Sequence, residues 1–75
     1  MITPQQMRMA RAGLGWKLGD LASRAEVNPN TISRYEGGQD VLASKLRRLE
    51  EALKTAGARF SDDTGTVGVV VPKQP

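Results

Sequence analysis

Apolar positions along this chain follow two different rhythms. Up to residue 56 they recur three or four places apart: Met7, Ala10 and Leu14, then Leu21 and Ala22 with Val27, then Ile32, then Leu42, Leu46, Leu49, Leu53 and Ala56. That spacing places each set on one side of a helix and predicts four helices, leaving Gln5, Arg8 and Ala12 outward on the first. After Gly57 the rhythm changes. Arg59-Phe60-Ser61, the turn Asp62-Asp63-Thr64-Gly65 and the run Thr66-Val67-Gly68-Val69-Val70-Val71, ended by Pro72, predict a β-hairpin and a frayed tail. The expected class is mostly α, four helices with a C-terminal β-hairpin, divided into a helical domain at residues 1–57 and an appended segment at 58–75.

Polar and special residues mark the ends of these helices. Thr3-Pro4-Gln5-Gln6 is a capping-box start, with Thr3 as N-cap, Pro4 in the first position and Gln6 able to reach back. The first helix then runs to about Leu14, and Gly15 suits a left-handed C-terminal cap. Lys17 takes the N-cap place of helix two, with Leu18 first inside it. Asn28 caps helix three, because its side chain can accept from an otherwise unpaired first-turn amide, and Pro29 fits the position after it. The fourth helix starts at about Val41 or Ala43, ends near Ala56 and stops at Gly57.

Helix three carries the chemistry. At 100° per residue from Ile32, Asn28, Tyr35 and Glu36 share its side, Asn30 and Arg34 point the opposite way, and Ser33 sits at the flank. One face is for burial; the other presents an amide, a hydroxyl and a guanidinium. Those groups pair with base edges in a DNA major groove and with the phosphates beside it. A short helix, a three-residue turn and a capped polar helix form the pattern of a helix-turn-helix, whose second helix enters that groove.

Residues Gln6 to Glu36 resemble the DNA-binding domain of the lambdoid phage repressors and their bacterial relatives, the XRE family of helix-turn-helix regulators. The likeness rests on Arg11, Leu14-Gly15-Trp16, Leu21-Ala22, Val27, Thr31-Ile32, Arg34-Tyr35-Glu36 and the Gly38 turn, followed by the apolar ladder of the next helix. It implies a four-helix lambda-repressor-like fold. It also implies that Asn30 and Arg34 read bases, that Pro29 and Ser33 touch base edges or the sugar-phosphate rim, and that Asn28 and Thr31 contact phosphate. Arg34 suits guanine and Asn30 adenine. Relatives pair an arginine at the place of Arg11 with the glutamate at Glu36, which would lock the recognition helix onto helix one. They also often carry a phosphate-clamping glutamine where this chain has Leu18, so this chain either lacks that contact or replaces it with Lys17 or a backbone amide. Glu26 stands where the family's turn has glycine, and a positive φ there would carry strain of about 1 kcal/mol. Ala22 has to stay small at the crossing of the two helices.

Four further sites follow from the residues themselves. The loop amides of Gly38 and Gln39 are candidate phosphate donors, since glycine permits close approach. Lys45, Arg47 and Arg48 at the start of helix four face either DNA or solvent. Trp16 is either a base-stacking group or a core anchor, and its place between Gly15 and a new helix favours the core. An isolated two-stranded hairpin is unstable in water, so Phe60, Val67, Val69 and Val71 need a partner surface. A second subunit is the favoured partner, with packing on the chain's own helices or disorder as the other outcomes.

Composition narrows the function. The chain carries a net charge of +3; ten of its eleven basic residues but only six of its eight acidic ones precede Ser61, leaving +4 there, which suits a polyanion. It has neither cysteine nor histidine, which removes disulfides, thiolate or histidine metal sites and histidine-activated nucleophiles, so neither an enzyme nor a metal or other cofactor is expected. No apolar run is long enough to cross a bilayer and no signal peptide opens the chain, making the cytoplasm the expected compartment. The reading that results is a sequence-specific DNA-binding transcriptional regulator, a repressor binding double-stranded DNA as a homodimer on a pseudo-palindromic operator. Its rivals are an antitoxin that represses its own operon and also binds a toxin, and a protein-interaction module in which the scaffold binds another regulator.

Overall fold

The computed structural model describes residues 2–61 and 68–73. Four helices, α1 (Pro4–Gly13), α2 (Leu18–Ala25), α3 (Pro29–Glu36) and α4 (Ala43–Thr55), are followed by the short strands β1 (Arg59–Phe60) and β2 (Val69–Val70). The expected class and element order are therefore present.

Helix starts follow the capping residues. Thr3 Oγ1 accepts from the Gln6 amide at 3.1 Å while Gln6 Oε1 accepts from the Thr3 amide at 2.9 Å. Two amides that would otherwise lack partners are satisfied together. Lys17 has no acceptor to offer α2, and Asp20 Oδ2 accepts from the Lys17 amide instead, at 2.8 Å. Asn28 Oδ1 accepts from the Asn30 amide at 2.9 Å to begin α3. Because an N-cap residue lies outside the helical spiral, Asn28 is exposed rather than sharing the buried side of Ile32.

Each of the four helices ends the same way. An amide two or three residues beyond the helix bonds back to the carbonyl five residues earlier: Trp16 to Arg11, Val27 to Ala22, Gln39 to Arg34 and Ala58 to Leu53, at 2.9, 3.1, 2.9 and 3.0 Å. This closure requires a left-handed residue in between. Gly15, Gly38 and Gly57 fill that place in three helices, and Glu26, at φ 56 and ψ 47, fills it in α2. The strained turn residue is real, and it is the one such position without glycine.

Met7, Leu21, Ile32, Leu49 and Leu53 are fully buried and draw on all four helices. Ala22 is buried where α2 meets its neighbours, and Ile2 and Ala58, one just before α1 and the other just after α4, complete the core. One expectation about apolar residues needs correction. Leu42 is the N-cap residue of α4, with extended backbone, so it falls out of the helical stripe and is 66% exposed. Trp16 packs half-buried against the edge of the core, with the Arg24 guanidinium 4.4 Å above its ring centre in a cation–π contact.

The hairpin's two strands are antiparallel, pairing Arg59 with Val70 and Phe60 with Val69. Its turn residues Asp62 to Gly65, and Thr66 and Val67, lie outside the described residues. Phe60, Val69 and Val71 are half-buried against the chain's own core. Packing on the chain's own helices, the alternative to a second subunit, thus accounts for part of their burial. Val71 packs over Gly13, where an added Cβ would lie 2.7 Å from Val71 Cγ2, so the missing side chain at the end of α1 makes room for the strand. Gln6, buried and otherwise unremarked in the sequence pattern, donates from Nε2 to the carbonyls of Ser61 and Gly68 at 3.0 and 3.5 Å. Val70 alone of the described strand valines turns outward, 70% exposed.

Candidate nucleic-acid interface

The outward face of α3 results from what is fixed on its inward face. Ile32 is fully enclosed, with Tyr35 and Glu36 half-buried beside it. That leaves Pro29, Asn30, Ser33 and Arg34 exposed together, and Thr31 half-exposed on the flank. The amide, hydroxyl and guanidinium expected to meet base edges are on one open surface.

Glu36 is the main fastening of this helix. Its Oε2 accepts from Arg11 Nε at 3.0 Å and its Oε1 from Arg11 Nη2 at 2.9 Å, a two-pronged pair, while Arg11 Nη1 donates to the Trp16 carbonyl at 3.2 Å. The side chains are 21% and 9% exposed, so the pair is largely out of water. Its hydrogen bonds to Glu36 raise the Arg11 pKa above its ordinary value, outweighing the opposing effect of burial. The Tyr35 hydroxyl donates to the Ile2 carbonyl. Burial, followed by the negative charges of Glu50 and Asp40, pushes the Tyr35 pKa up and keeps the phenol a neutral donor.

The residues proposed for phosphate are differently placed. Lys17 is exposed just ahead of α2, and with its amide bonded to Asp20 its ammonium is the group left to reach an anion. The side-chain carbonyl of Asn28 is used as the cap, leaving its NH2. The loop amides require a correction. Gly38 and Gln39 donate their N–H groups to the carbonyls of Tyr35 and Arg34, both at 2.9 Å, because those amides close the end of α3. Gln39 retains its exposed side chain as a donor, and Gly38 has none.

One residue gains weight. A shallow cleft lined by Thr31, Arg34, Asp40, Val41, Leu42 and Lys45 runs from α3 to the start of α4, so Lys45 shares a surface with Arg34. Arg47 and Arg48 line a separate groove with Trp16, Arg24 and the end of α2. Sequence periodicity separates these three cations by angle, but only the placement of α4 relative to α3 decides which of them shares the cleft with Arg34. Among the described residues no group of His, Cys, Asp or Glu side chains is arranged to hold a metal ion, and no helix is long and apolar enough to cross a membrane.

Comparison with known proteins agrees with this geometry. A family described as a helix-turn-helix domain matches residues 5–61. A protein of Archaeoglobus fulgidus, named as an HTH-type transcriptional regulatory protein, is 33% identical over 58 residues. The match takes in 77% of this chain and 19% of that relative, so the chain spans about a fifth of the length of the protein it resembles.

Proposed function

Since the chain belongs to the helix-turn-helix domain family, we propose that it binds DNA in a sequence-specific way through α3 and regulates transcription, as a repressor of the XRE type. The observation that carries this reading is the joint exposure of Asn30, Ser33 and Arg34 on a helix whose other face is fixed by Ile32 and the Arg11–Glu36 pair. In this reading Arg34 donates twice to O6 and N7 of a guanine, Asn30 pairs with an adenine edge, and Lys17, Asn28, Thr31, the side chain of Gln39 and Lys45 hold the flanking phosphates. Two copies bind a pseudo-palindromic operator with half-sites about one helical turn apart. The C-terminal segment, with Phe60, Val67, Val69 and Val71 and, among the described residues, the outward Val70, joins the two copies through the edges of its small sheet.

The test is selection from a random-sequence duplex pool, followed by gel shifts with the selected duplex and a scrambled control. With roughly six to eight phosphates neutralised per dimer, the logarithm of affinity should fall with the logarithm of salt at a slope of about −5 to −7. Arg34→Ala should lose about 1 to 3 kcal/mol of discrimination at one base pair while keeping most scrambled-duplex affinity. Binding that ignores salt, or an Arg34→Ala protein with full sequence preference, would overturn the reading.

A further inference from the structure

Ile2, two residues before α1, is gripped by two other helices. The Ile2 carbonyl accepts from the hydroxyl of Tyr35 on α3, and the Ile2 amide donates to Glu50 Oε1 on α4 at 3.0 Å. Its side chain is buried in the core at the same place. Glu50 is itself steadied by Lys54 Nζ at 3.0 Å, one turn further along α4. Both polar groups of a single peptide segment are thus occupied by side chains from elements far away in sequence.

The geometry matters for where α3 points. Tyr35 and Glu36 are adjacent residues, about 100° apart around the helix. Tyr35 is tied to Ile2, ahead of the first turn of α1, and Glu36 to Arg11 in its last turn, anchors on the order of 10 Å apart. A helix held at one point can pivot about it; one held by two diverging side chains at opposite ends of a rigid neighbour cannot. The helix with its side chains has a radius of about 6 Å, so a rotation of about 10° sweeps the base-reading groups by roughly 1 Å. That is comparable with the tolerance of a hydrogen bond to a base edge.

We propose that the Ile2 main chain is a strap that fixes the rotation of α3, and that Tyr35 acts through it as a positioning residue for base recognition. The inference rests on the DNA-reading role of α3, and it also makes a claim that needs no DNA. Tyr35→Phe keeps the ring and removes the donor. In that variant the amides in the last turn of α3 exchange with solvent several-fold faster, while those of α2 are unchanged. The ratio of affinities for the selected and scrambled duplexes falls about three- to tenfold, the worth of one hydrogen bond, while scrambled-duplex affinity and its salt slope stay put. A merely structural loss of folded protein would lower both affinities together. Glu50→Gln, which leaves Tyr35 intact and reduces the other grip to a neutral acceptor, should move the same readouts in the same direction and serves if Tyr35→Phe does not fold. Wild-type protein that enriches no sequence defeats the DNA-binding reading, with the exchange measurement still deciding the strap. Unchanged α3 exchange, or an unchanged ratio in protein that does select a sequence, overturns the proposal.

Discussion

Substituting Glu26 separates backbone strain from side-chain effects. The residue sits at φ 56 and ψ 47, closing α2 in the position that glycine occupies at the ends of α1, α3 and α4. Its side chain is exposed, so truncation opens no cavity, and the bond it receives from Arg48 at 3.5 Å goes to the main-chain carbonyl, which any replacement retains. Two gains come from removing it. A negative charge is taken from a helix C-terminus, worth a few tenths of a kcal/mol at an exposed site. A Cβ is taken from the left-handed region, worth about 1 to 2 kcal/mol, against which glycine's greater freedom in the unfolded chain recovers about 0.5 to 1 kcal/mol. Glu26→Ala captures only the first gain; Glu26→Gly captures both. Glycine should therefore exceed alanine by about 0.5 to 1 kcal/mol, or roughly 2 to 8 °C in melting temperature for a domain of this size. Thermal unfolding followed by circular dichroism at several protein concentrations measures the difference. An alanine variant as stable as the glycine variant would refute the claim that this turn stores backbone strain.

Two other outcomes are expected. Arg11→Ala strands a Glu36 carboxylate that is only 9% exposed, so stability should fall by about 3 kcal/mol, and the double variant Arg11→Met, Glu36→Leu should recover much of it in denaturant titrations. Burial pushes the Glu50 carboxyl up, but hydrogen bonds from Lys54 and the Ile2 amide outweigh this and hold its pKa below the ordinary value. A depressed carboxylate stabilises the fold above the unfolded-state pKa of about 4.3 and ceases to do so as pH falls through the lower, folded-state value. The wild-type advantage over Glu50→Gln in melting temperature should accordingly be full at neutral pH and shrink only below about pH 4; an advantage independent of pH would contradict it.

Local signals made most of the fold legible. Asn28-Pro29 announced α3, Thr3 to Gln6 announced α1, and the glycines after α1 and α4 marked where each stops. What was not legible depended on how segments meet. Leu42 continues the apolar ladder on paper, yet the helix begins one residue later and leaves it outside. The valines of the hairpin read as a surface in search of a partner, because nothing local reveals that Gly13 leaves α1 bare enough to receive Val71. Ile2 lies ahead of any periodic segment, so neither its burial nor its grip by Tyr35 and Glu50 had a signal. At the candidate site the exposed set of Asn30, Ser33 and Arg34 was readable from angle alone, whereas Arg11 and Glu36, 25 residues apart, were paired only through the family resemblance. The Gly38 and Gln39 amides were misassigned because glycine's openness to a ligand and its use in ending a helix look alike in sequence.

Gln6 holds together two events usually counted separately. Its carbonyl oxygen nucleates the first helix and its nitrogen holds the carbonyls of Ser61 and Gly68, where the chain leaves one strand and enters the other. The start of α1 and the small sheet are therefore fastened through one amide group, and neither can come loose without disturbing the other. Closure of this domain should register as a single cooperative step, with the amides of α1 and of the two strands gaining protection on the same timescale.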